Sequence, residues 1–211
     1  QSKYYYGNFR VSKTDYNSSK YYKDNKGSDV YSIAQFYKNL SNYDRNKLIH
    51  VHKALWRLKE EKNLSRTQFA NMIVSFVQSI PYSLLVDSSC SYAYYSYDIV
   101  KEYMDQGIEC DGPVTGGIYS PVEFIGKFHG DCDTRTVFLY TVLKYFSYDV
   151  VILSSEVYAH SMIGINIPSN GKYKYYNNKK YYFWETTTEN YQIGMLPASI
   201  SNTNYWYVEL N

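Results

Sequence analysis

No stretch of this chain is apolar for long enough to cross a bilayer, and none reads as a secretory leader. Three cysteines and four histidines are scattered, and no group of them has the spacing of a zinc site. No sign of charge dominates: 22 Lys and Arg stand against 20 Asp and Glu, a net charge of +2. A dedicated nucleic-acid binder would concentrate its basic residues on one face, so that class is excluded. What the chain has in excess is tyrosine, 28 residues of it. One account is drift in base composition. The other is a surface built for carbohydrate or peptide contact, because tyrosine joins a flat apolar face to a polar tip. A length of 211 residues suits one domain with a full core.

Residues 1–28 are polar, rich in Lys, Ser, Asn and Tyr, and keep no sustained period. They read as a linker or loosely attached N-terminal arm, with a strand considered for Tyr4 to Val11. The chain opens on Gln1 rather than methionine, consistent with a processed or truncated polypeptide. Residues 29–211 read as one domain. A short helix is expected over Asp29 to Asn39. A second is expected from Asp44, where Leu48, Val51, Leu55 and Leu58 recur at helical spacing. His50 and His52 diverge on such a helix and read as surface or half-buried. Ser65 and Gln68 suit a capping box ahead of a helix that Pro81 ends. Cys90 and Cys110 bracket a tyrosine-rich, partly helical segment. Three cysteines is an odd count, and a Cys90–Cys110 disulfide with Cys132 free fits an oxidising, extracytoplasmic compartment. The alternative is two unrelated reduced thiols. Ser120 and Pro121 suit the start of a further helix, with Glu123 either bracing the next turn or serving only as an N-terminal charge.

The richest stretch runs from His129 to Ile167. Gly130 permits a tight turn and Asp131 is a good N-cap. From Cys132 the apolar residues Phe138, Leu139, Val142, Leu143 and Phe146 predict a helix with one buried face. Cys132 falls in its first turn, where free amides and the helix dipole favour an anion and lower a thiol pKa. The bland alternative is a small buried hydrophobe. Tyr148 to Ser154 reads as a strand buried on both faces. Tyr158 to Ile167 alternates, placing His160 near the start of a strand, on the face opposite the isoleucines. Asn170 to Lys180 reads as a polar hairpin tip. Glu185 then falls in an aromatic strand, where a buried carboxylate needs a partner. Antiparallel pairing of the two strands would make His160 that partner, provided the register holds. Thiol, imidazole and carboxylate in this order are a nucleophile, its base and the group that fixes the base's tautomer.

Gly130-Asp131-Cys132-Asp133 opening a helix, His160 on a later strand and Glu185-Thr186-Thr187 after it resemble the transglutaminase-like superfamily. Phe76 to Tyr82 and Ser120 to Phe124 are similar to bacterial and archaeal members, and the likeness spans residues 65–196. The family usually has aspartate where this chain has Glu185, and often an aromatic residue after the histidine, where this chain has Ser161 and Met162. The resemblance implies an α+β fold with a papain/transglutaminase-like core. Helices would pack on an antiparallel sheet, with the nucleophile at a helix N-terminus. It implies acyl transfer through a thioester on a peptide or protein carboxamide, with hydrolysis favoured over cross-linking and no cofactor. Catalytic residues would be Cys132, His160 and Glu185. Gln78 and Asp131 are candidates for oxyanion or substrate contact, against a solvent-facing Gln78. Some relatives need calcium, but no dedicated acidic loop is present. The rival readings are a non-catalytic binding module of an extracytoplasmic protein and, last, a redox protein using Cys90 and Cys110.

Overall fold

A computed structural model describes residues 5–27 and 31–211 of the chain. In chain order its regular elements are α1 (Lys13–Tyr22), α2 (Ile33–Asp44), α3 (Ile49–Glu61), α4 (Arg66–Gln78), β1 (Ser83–Leu85), α5 (Cys90–Ser96), α6 (Asp98–Asp105) and β2 (Glu109–Asp111). There follow α7 (Pro121–Lys127), α8 (Cys132–Tyr145), β3 (Val150–Ser155), β4 (His160–Ile165), β5 (Tyr173–Tyr176), β6 (Lys179–Trp184) and β7 (Tyr207–Leu210). The class is α+β. Strands β5-β6-β4-β3-β7 form an antiparallel sheet in that order, and β1 and β2 make a separate parallel pair.

The sheet follows from its β-branched sequence. In β3, Val150 and Ile152 face the large helical core, while Val151 and Leu153 face a second cluster with Met162, Tyr181, Phe183 and Trp206. Burial on both sides explains the unbroken apolar run. The polar stretch before β6 is more than a tip, because it contains the edge strand β5. Asn177 and Asn178 turn the chain between β5 and β6, both at positive φ, which asparagine tolerates in a two-residue hairpin loop.

Helix α8 departs from the expectation of one buried face. Every residue from Cys132 to Leu143 except Asp133 is buried. The sheet covers one side of α8, and α2, α4 and α7 cover the others. Its threonines and Arg135 are therefore interior residues that must find partners within the fold. Capping boxes open α4 (Ser65 with Gln68) and α7 (Ser120 with Glu123), so Glu123 satisfies the Ser120 amide as well as marking a helix start. Asp44 ends α2 rather than opening the next helix. The start of the helix expected from Asp29 lies outside the described residues. The helix observed there begins at Ile33, capped by Ser32.

The N-terminal segment is a correction. Residues 5–12 carry no strand, and Tyr4 lies outside the described residues. From Lys13 the chain is helical and docked rather than loose. Ser12 caps α1 at the Asp15 amide, 2.9 Å away. Ser19 Oγ donates to buried Asp44 Oδ1 (2.5 Å), and Asp44 Oδ2 accepts from the Val122 amide (2.9 Å). Lys23 is buried between Asp24 (3.1 Å) and Glu123 (3.8 Å). The segment lacks an apolar stripe because polar pairs hold it, and such pairs leave no periodic signature. Tyr16 lies against Gly126 of α7, where an added Cβ would come within 2.6 Å of the ring. Gly126→Val is expected to cost about 1–3 kcal/mol by overpacking. Hydrogen exchange should show residues 13–22 losing protection while the sheet keeps its own; unchanged protection there would contradict this docking.

Candidate active site

The turn that precedes Cys132 is built from backbone outwards. Gly130 pairs with Tyr82 in an isolated bridge, and its carbonyl accepts from the Arg135 Nε (3.0 Å). A side chain at Gly130 would meet Thr134 Cγ2 at 2.8 Å, so glycine is required for close approach. Asp131 caps α8 by accepting from the Thr134 amide at 3.0 Å. Its carboxyl is pushed up to about 8 by burial and by the neighbouring Asp133. Cys132 follows, with only 8% of its surface exposed. Its thiol pKa is raised, not lowered as its helix position predicts. Burial is the main cause, and Asp133 and Asp131 add repulsion of the thiolate. The Ser161 amide and hydroxyl favour the anion but are outweighed. Burial, reinforced by Asp133 and Asp131, therefore overrides the helix dipole.

His160 is the first residue of β4, and Glu185 directly follows β6. The register pairs Ile163 with Trp184, so the two side chains reach each other diagonally across the sheet end rather than face to face. His160 Nε2 lies 3.0 Å from Glu185 Oε2. The other carboxylate oxygen, Oε1, accepts from the Thr186 and Thr187 amides, both at 2.8 Å, and from Thr187 Oγ1 at 2.7 Å. Burial alone would raise this carboxyl, but the bonds from His160 and Thr187 hold it at about 2. Trp206 packs edge-on to the imidazole at 6.0 Å and fixes its plane. With Nε2 directed at the carboxylate, the basic lone pair falls on Nδ1. Cys132 Sγ makes no hydrogen bond to the imidazole among the described residues. It faces Ser161, the next residue along β4, whose hydroxyl also donates to Asp133 Oδ1 at 2.6 Å.

Gln78 is neither solvent-facing nor available to an oxyanion. Its side-chain amide donates to the carbonyls of Glu185 (2.7 Å) and Tyr191 (2.9 Å), so it clamps the segment that carries Glu185. Arg135 is a second clamp that sequence reading misses. It is fully buried and donates to the carbonyls of Gly130 (3.0 Å), Val77 (2.8 Å), Ile80 (2.6 Å) and Thr186 (3.4 Å). One guanidinium thus ties the turn before Cys132 to the end of α4 and to the Glu185 loop. Its available signal was a lone cation inside the apolar helix that Cys132 opens. Tyr37, Tyr82 and Tyr103 also surround the sulfur, and burial raises each phenol, with the Cys132 charge adding to it. Among so many tyrosines nothing marked these three. Tyr103 sits on α6, within the hairpin closed by the Cys90–Cys110 disulfide, and packs 6.3 Å from Tyr82.

Among the described residues no group of His, Cys, Asp and Glu is placed to hold a metal ion, and no helix is long and apolar enough to cross a membrane. Comparisons with protein-family models, curated proteins and solved structures find no match to this chain.

Proposed function

We propose that this protein is a thiol-dependent acyl-transfer enzyme with a papain/transglutaminase-like core, acting on peptide or glutamine-type carboxamides. The observation that carries this reading is the His160–Glu185 pair. A fully bonded carboxylate holds one imidazole nitrogen at 3.0 Å; successive strand residues face opposite sides, so the imidazole must turn around the start of β4 to reach the Cys132 sulfur, which faces Ser161. Because burial and the two aspartates keep Cys132 protonated at rest, the thiol acts with His160 as general base rather than as a standing thiolate. Attack forms the S–C bond as the thiol proton passes to His160 Nδ1, and amide groups at the start of α8 receive the oxyanion. Collapse breaks the C–N bond, and His160 returns the proton to the departing amine. Water, activated by the same imidazole, then cleaves the thioester and frees the acid. Hydrolysis is favoured over transfer to a second amine on the implied kinship with bacterial relatives. The Cys90–Cys110 disulfide supports an extracytoplasmic setting.

The buried, protonated sulfur favours a second reading, a non-catalytic module that keeps the fold alone. Treatment with a peptidyl chloromethyl ketone, read by intact mass, separates the two. The enzyme reading expects one adduct on Cys132, absent in Cys132→Ala and slowed about a hundredfold or more in His160→Ala. Labelling that is indifferent to His160, together with no amide turnover across a peptide library, would leave only the module.

A further inference from the structure

We propose that a cleft at the opposite end of α8 from Cys132 is a binding site for an anionic saccharide. The cleft, about 710 Å³, lies between α3 and the last turn of α8. The length of α8 separates it from Cys132 by about 20 Å, so the two sites are distinct.

Its most unusual wall is His52. Sequence reading places this residue at or near the surface, yet it is 1% exposed, and neither ring nitrogen has a hydrogen-bond partner. A buried imidazole left in that state costs about 1–3 kcal/mol for each unsatisfied group, and such a group calls for an explanation. Burial and nearby Arg45 lower its pKa to about 4, so at neutral pH it presents one donor and one acceptor. Tyr145 lies flat on it, 3.6 Å between centroids, at the end of α8 where the phenol has no partner among the described residues. Tyr145 covers a face of the ring rather than its nitrogens, so in the proposed complex Tyr145 swings aside and the imidazole turns a nitrogen towards the ligand. Beside it stands Trp56, 48% exposed. Lys53 and Arg57, one helical turn apart, also line the cleft, and among the described residues neither has a carboxylate within ion-pair distance. No acidic side chain lines it.

These features ask for three things in one ligand. An apolar ring face suits the open part of Trp56, whose ring also carries Lys59 Nζ at 4.3 Å from its centroid. Hydroxyl groups, each donor and acceptor at once, satisfy the imidazole in either tautomer. A negative charge answers Lys53 and Arg57. A sugar ring bearing a carboxylate or a sulfate supplies all three.

Tryptophan fluorescence reads the cleft directly, because Trp184 and Trp206 are both 1% exposed and Trp56 alone is open to solvent. Titration with hexagalacturonate and with a heparin hexasaccharide should change the emission saturably, and whichever binds identifies carboxylate or sulfate as the charge. Cellohexaose, which is neutral, should bind about tenfold or more weaker. The double substitution Lys53→Glu/Arg57→Glu, on exposed positions, should weaken binding to a similar degree without altering the far-ultraviolet spectrum. His52→Phe keeps the stack on Tyr145 but removes both nitrogens; it should weaken binding while leaving thermal stability equal or higher. Cys132→Ala should bind like the wild type. No saturable binding of either acid oligosaccharide overturns the proposal, as does binding that survives the charge reversal or the His52 substitution. A response to ATP in place of the oligosaccharides would overturn it in favour of a nucleotide.

Discussion

Replacing Arg135 with leucine is expected to cost about 2–5 kcal/mol of unfolding free energy, because buried carbonyls lose their side-chain donor. The reason is local. Four buried carbonyls, those of Val77, Ile80, Gly130 and Thr186, take their side-chain hydrogen bonds from this one guanidinium. Leucine fills part of the volume but leaves the Ile80 and Thr186 carbonyls without a donor among the described residues, each at a cost of about 1–3 kcal/mol before relaxation, while Val77 and Gly130 keep only the Ile80 and Ser83 amides. Lysine in the same place offers a compact ammonium without the planar fork, so it should recover only a fraction. Urea unfolding of the two variants against the wild type reads the difference. A loss below about 1 kcal/mol for leucine would mean that the carbonyls find other donors, and that Arg135 does not organise the site. Because the same side chain ties Gly130 to Thr186, the proposed acyl-transfer activity should fall in the lysine variant beyond what its stability explains.

If the protein is the thiol enzyme proposed above, the largest expected effect on rate comes from Glu185→Gln: a fall of roughly a thousand- to ten-thousandfold in acyl transfer with the fold retained. The Thr186 and Thr187 amides donate to one oxygen of residue 185, and the glutamine carbonyl can keep them. Its NH2 group must then point at His160 Nε2. The imidazole would have to accept there and carry its proton on Nδ1, the tautomer that cannot take a proton from the thiol. Chloromethyl ketone labelling of Cys132 should slow in parallel. A rate within tenfold of the wild type, with a normal melting profile, would remove Glu185 from the mechanism.

The same substitution has a pH signature. In the folded protein Glu185 has its pKa depressed to about 2 by His160 and Thr187, against the pull of burial; an unfolded glutamate titrates near 4.3. The unfolded chain therefore binds more protons between those values. The stability this group contributes is fully present above the unfolded value and is lost as pH falls through the folded one. A depression of that size is worth roughly 3 kcal/mol. Wild-type protein should lose about that much more than Glu185→Gln on acidification from pH 5 to pH 2. Parallel acid titrations of the two would refute the assigned depression.

Much of the fold could be read from local grammar. The Ser65–Gln68 and Ser120–Glu123 boxes, the Asp131 cap and the β-branched run of β3 each announce an element, because caps and periods act over a few residues. The docking of the N-terminal helix was not legible. Ser19 and Lys23 read as part of a polar arm and Asp44 as a helix start until partners distant in sequence enclose them. His52 was misread for the opposite reason: it lies on the inward side of α3, and nothing beside it in sequence states that Tyr145 will cover it.

By itself the sequence determined that a cysteine would open a helix and that a histidine would lie near the start of a strand; it placed Glu185 within the partnering strand, which in fact ends one residue earlier, at Trp184. Only the tertiary structure decided what those groups are electrostatically: the thiol raised by burial and then by Asp133 and Asp131, the carboxylate lowered by its bonds against the pull of burial, and Gln78 and Arg135 directed to carbonyls far along the chain. Position within a helix or strand is set by neighbours in sequence. The charge state and hydrogen-bond partners of a buried group are set by whatever surrounds it in space, and that is known only once the chain has folded.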